Sequence, residues 1–80
     1  MSENLLPELL AAVEQQLVSP QTKYVAKTFE RLLKAGLNET DAKKQIAVCL
    51  SEEMYEILLH KRPFDEKAYR AALDELPLSD

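Results

Sequence analysis

The stretch Asn38–Pro63, NETDAKKQIAVCLSEEMYEILLHKRP, is the longest run without an internal Pro or Gly in which apolar residues recur at helical spacing. At 100° per residue, Ile46, Ala47, Leu50, Met54, Ile57 and Leu58 fall within an arc of roughly 120°, which predicts a core-facing stripe. Val48, Tyr55 and Leu59 follow at i, i+7 and i+11 on nearly the opposite side, among Lys44, Ser51, Glu52 and Arg62. The segment is therefore apolar on two sides. A helix over residues 39–61 would be about 34 Å long, comparable with the diameter of a small domain. Its neighbours are expected to lie along it on both flanks.

What those neighbours are follows from length and composition. Eighty residues make one domain, with no room for a second core. The chain is 46% hydrophobic with one Gly and fourteen Leu, too apolar for disorder and too poor in Gly and β-branched residues for a sheet. An all-α, compact four-helix domain is expected, with a long central third helix and short connections. A core of this size seldom yields more than about 3 to 5 kcal/mol without reinforcement. With a single cysteine, Cys49, no internal disulfide can form, so self-association is a natural remedy.

Outward from the central stretch, punctuation divides the chain. Ser2 or Asn4 would cap a first helix over about 5–18, whose Leu6, Leu9, Leu10, Val13 and Leu17 form one apolar face. Ser19-Pro20 reads as an N-cap with Pro at the first helical position, opening a second helix over about 20–35 that buries Val25, Phe29, Leu32 and Leu33. Gly36 is suited to the left-handed residue that ends it, with Leu37 folding back on the last turn. Asn38 and Asp41 form the capping pair of the third helix, and Pro63 stops it. Asp65 then caps a fourth helix over about 66–76, with Phe64 and Tyr69 spaced as a hydrophobic staple. One of these helices, or a second copy of the chain, must cover Val48, Tyr55 and Leu59.

The C-terminal run KRPFDEKAYRAALDELP, with the alternation of TDAKKQIAVCLSEEMYEILL before it, resembles a family of small bacterial all-helical domains of unknown function. The shared pattern is R-P-x-D-x-x-x-Y-x-x-x-L, here Arg62, Pro63, Asp65, Tyr69 and Leu73, within a likeness over about the last sixty residues. It implies a bacterial origin and a helical fold, and no chemistry. The His-containing segments of longer members have no counterpart, because His60 is the only histidine.

Three constellations bear on function. Cys49, Glu53, Glu56 and His60 share an arc of roughly 60° on the third helix. Their spacing matches neither the Glu-x-x-His pairs of di-iron bundles nor the His-x-x-x-His of zinc proteases. The bland reading makes Cys49 a small buried hydrophobe, Glu53 and Glu56 solvated, and His60 a cation at the helix C-terminus. His60 lies roughly 16 Å along the helix from Cys49, too far to activate the thiol. No catalytic, metal or cofactor residue is assigned. Lys23, Lys27, Arg31 and Lys34 line the second helix as a basic face that could meet nucleic acid or an acidic ligand, although the net charge of −4 argues against it.

The strip Val48, Tyr55 and Leu59 carries the preferred reading: a non-enzymatic protein–protein interaction module that pairs with itself as a homodimer or with a protein partner. The first residues lack a basic stretch followed by an apolar one, and the apolar runs are far shorter than the roughly 20 residues that span a bilayer. A reducing cytoplasm is the expected location.

Overall fold

The helix boundaries are set by local hydrogen-bond chemistry. In the computed structural model, which describes residues 6–78, α1 spans Leu6–Val18, α2 Lys23–Lys34, α3 Glu39–His60 and α4 Glu66–Asp74. The expected caps at Ser2 and Asn4, a helix start at Leu5, and the tail residues Ser79 and Asp80 lie outside the described residues. Ser19 accepts a hydrogen bond from the Gln21 N–H, but the turn it caps, Pro20–Thr22, is a 3-10 helix and α2 proper begins at Lys23. Gly36 ends α2 at φ 108°, with its N–H bonded to Leu33 O and the Leu37 N–H to Leu32 O. This pair is the Schellman arrangement, which satisfies carbonyls the helix itself cannot. Asn38 Oδ1 accepts from the Asp41 N–H at 2.7 Å and starts α3.

α3 packs against each of the other three helices and is the axis of the fold. Its 22 residues extend about 33 Å, whereas α1, α2 and α4, at 13, 12 and 9 residues, reach no more than about 20 Å. No single neighbour is long enough to cover it. The buried positions of α3 are Ala42, Ile46, Ala47, Cys49, Leu50 and Glu53, and none lies beyond Glu53. They join Val13, Val25, Leu32, Tyr69, Leu73 and Leu76 in the core. Leu76 is buried although α4 ends at Asp74, two residues before the predicted stop.

This corrects the expected core stripe. Ile46, Ala47 and Leu50 are core residues, but Met54 is 42% and Leu58 77% exposed, and Ile57 is half-buried. Cys49 and Glu53 take the inward places instead, because α4 returns along that side of α3. The flank carrying Val48, Tyr55 and Leu59 is not covered either, so α3 is shielded on one side and only over its first four turns.

α3 stops in an unusual way. Its C-cap residue, Lys61, adopts the left-handed conformation at φ 52°, where a side chain crowds the backbone and Gly does not. Lys61→Gly is therefore expected to raise stability by about 1 kcal/mol, a shift of about 4–8 °C in Tm for a domain of this size. Urea and thermal denaturation of the two chains check this.

Candidate functional site

The polar groups of the far half of α3 sort into a buried clamp and an open surface. Glu53 is 5% exposed, yet all of its demands are met: the Arg62 guanidinium donates to both carboxylate oxygens, at 2.8 and 3.1 Å, and the Asp65 N–H donates at 2.8 Å. Glu53 is thus not the solvated residue that its place in the row with Glu56 and His60 suggested. It ties the end of α3 to the start of α4. The hydrogen bonds from Arg62, more than offsetting the effect of burial, hold its carboxyl below the usual Glu range.

Tyr69 carries the clamp's effect into the rest of the fold. Its ring meets Phe64 edge-on at 5.6 Å, the predicted staple, and Tyr24 of α2 at 6.0 Å. Its hydroxyl donates to Gln16 Oε1 of α1 at 2.7 Å, and burial pushes its pKa up. On the other side of α4, Arg31 of α2 donates to the carbonyls of Leu73 and Leu76, supplying a C-terminal cap from outside the helix. Four of the five positions in the pattern shared with the resembled family are thereby explained as structure: Arg62 clamps, Asp65 accepts from the Ala68 N–H, and Tyr69 and Leu73 are core.

Arg31 changes the reading of the basic face. Lys23, Lys27 and Lys34 are exposed and pair with no carboxylate among the described residues, but Arg31, the cation between them, is committed to α4. The sequence spacing alone could not distinguish a cap reaching another helix from a member of a solvated row.

Cys49, Glu53, Glu56 and His60 do share one side of α3, but they do not act on a common point. Glu53 belongs to the clamp, and Glu56 meets His60 at 3.4 Å along the helix surface. Cys49 is buried, and its pKa is raised to about 11, first by desolvation and then by the charges of Glu52 and Glu75. No group of three His, Cys, Asp or Glu among the described residues is arranged to hold a metal ion. Beside these residues an open groove of about 870 Å³ runs between α3 and α4, with Cys49, Tyr69, Ala68 and Ala72 along its floor and Glu52, Tyr55 and Glu56 at its edge.

The rear flank of α3 is the other open surface. Tyr55 is 62%, Leu59 56% and Val48 42% exposed, and Met54 and Leu58 extend the same apolar area round the helix. Periodicity pointed to Val48, Tyr55 and Leu59; it missed Met54 and Leu58, which fit a core stripe equally well by spacing. The signal that could have separated them was the short length of the neighbouring helices.

No protein-family model, curated protein or solved structure matches the chain. Among the described residues no helix is long and apolar enough to cross a membrane.

Two measurements test the clamp and the thiol. Because the folded-state pKa of Glu53 is lowered, its contribution is complete above the unfolded value of about 4.3 and is lost as pH falls through the folded value. Glu53→Gln is therefore expected to be less stable than wild type to urea at pH 7, with the gap closing below about pH 4. Native Cys49 should react with iodoacetamide at pH 7.5 at least tenfold more slowly than in the urea-unfolded chain, followed by mass spectrometry.

Proposed function

We propose that the chain is a non-enzymatic interaction module that self-associates through the rear flank and far end of α3. The observation that carries this reading is that Val48, Met54, Tyr55, Leu58 and Leu59 stand exposed together on one helix while the buried positions of α3 end at Glu53. Isolated exposed apolar residues need no explanation, but five large ones contiguous on one rod form the kind of patch that marks an interface. Tyr55 at its middle supplies a broad, rigid anchor with a polar tip, of the type enriched where binding energy concentrates. A straight helix displayed along its side suits an isologous contact, in which two copies of α3 lie antiparallel across a two-fold axis.

The remaining features agree with an interaction role. The buried, high-pKa thiol, the single histidine held to Glu56 and the clamp residues held to one another offer no free nucleophile and base within reach of each other. A bacterial cytoplasmic setting accords with the resemblance and the unpaired cysteine. Nucleic-acid or acidic-ligand binding through Lys23, Lys27, Arg31 and Lys34 is the weaker reading, because the row lacks Arg31 and the net charge is −4.

Light scattering coupled to gel filtration tests the proposal. Wild type is expected at twice its 9.1 kDa mass at high micromolar concentration, dissociating on dilution. Tyr55→Glu should run as a monomer with unchanged helical circular dichroism, since Tyr55 contributes nothing to the core. A wild-type chain that stays monomeric throughout would overturn self-association.

A further inference from the structure

A second surface is built differently from the rear flank of α3. Roughly 90° round α3, on the side facing α4, lies the 870 Å³ groove. Its floor is apolar, formed by the buried Cys49 and Tyr69, and the α4 wall presents Ala68 and Ala72, one turn apart. Tyr69 is packed into the floor and Tyr55 stands at the edge, so neither ring fills it. The two helices are held by the Glu53–Arg62 clamp at one end and by Tyr69 among its partners at the core. The groove thus lies between two helices tied to each other, open on one side.

Its charge is one-sided. Glu52 and Glu56 stand along the α3 edge, and Glu75, at the C-cap of α4, lies close enough for its charge to bear on Cys49 together with that of Glu52. Among the described residues Arg62 is the only cation lining the groove, and Glu53 already holds it in a bidentate pair. His60 reaches Glu56 from outside the groove. An occupant therefore meets a trough with an apolar floor, Glu52 and Glu56 on its α3 rim and Glu75 just past the end of its α4 wall. The alanine wall lets another backbone approach closely, as helix pairs do when the contact residues are small.

We infer that the α3–α4 groove is a docking site for a basic amphipathic helix of a partner protein, its apolar side chains entering over Ala68 and Ala72 and its Lys or Arg residues facing Glu52, Glu56 and Glu75. Helix-in-groove recognition has this division of labour: apolar anchors at i, i+3/i+4 and i+7 supply burial, and flanking charge selects the partner. A second copy of the chain does not supply such a helix, because the apolar face of its one basic amphipathic helix, α2, is buried in its own core through Val25 and Leu32. This docking does not depend on self-association through the rear flank, although the two surfaces meet at Tyr55, which stands at the groove's edge.

The test uses an 18-residue Leu/Lys amphipathic peptide and its Leu/Glu counterpart, each dye-labelled, titrated with the full chain by fluorescence anisotropy at low salt. The Leu/Lys peptide is expected to bind at micromolar concentration and the Leu/Glu peptide at least tenfold more weakly. Ala68→Arg, at an exposed position, and the double change Glu52→Lys/Glu56→Lys should each weaken binding at least tenfold while leaving the circular dichroism unchanged. Leu58→Glu lies outside the groove and should abolish self-association while leaving peptide binding intact. No binding of the Leu/Lys peptide, equal binding of the two peptides, insensitivity to both groove variants, or loss of binding in Leu58→Glu would each overturn the inference.

Discussion

A carboxylate removed from water at the junction of α3 and α4 holds this structure in its shape. Glu53 sits where the core ends, and a charge in that position is tolerable only because three donors meet it. Two come from Arg62 and one from the backbone of Asp65, both on the link into α4. That geometry compels the chain to double back as soon as α3 ends, through the left-handed Lys61 and the extended residues before α4. A replacement that left Arg62 and the Asp65 N–H without their acceptor would cost more than the pair contributes in isolation, since the unmet groups remain part-buried.

The path imposed by the clamp determines what is exposed. α4 turns back toward the core, where Tyr69, Leu73 and Leu76 are buried and Arg31 satisfies its terminal carbonyls. Being only 9 residues long, it covers the Cys49 side of α3 and nothing behind it. The rear flank is left to solvent, and so is the groove beside α4, where alanines stand in place of larger residues. Both candidate interaction surfaces therefore arise from one mismatch of lengths: a 22-residue helix served by three shorter ones.

The two surfaces differ in character, which bears on the partners proposed for them. The rear flank is a convex strip of large side chains around Tyr55, with an apolar reach that favours a similar surface opposite. The groove is concave, small-walled and acidic, and favours a protruding basic helix. A chain bearing both could join copies of itself while gripping another protein. Nothing in this arrangement calls on Cys49, whose thiol is held neutral by burial beneath the groove floor.

The sequence by itself determined the helices. Gly36, Asn38, Pro63 and Asp65 act through hydrogen bonds and backbone geometry confined to a few neighbouring residues, so their effects were readable without knowing the fold. The Phe64–Tyr69 staple was legible for the same reason, as was the apolar character of α3 on two sides. Local signals failed where the answer lay in another helix. Ile46 and Leu58 fit the same stripe by spacing, but one is core and the other 77% exposed, because burial depends on whether a neighbour extends that far. Glu53 looked solvated and Arg31 looked like one of four equal cations until tertiary structure brought Arg62, Asp65 and the end of α4 to them. Periodicity can say which residues share a side of a helix; only packing decides what, if anything, lies against that side, because partners distant in sequence are chosen by the path of the whole chain.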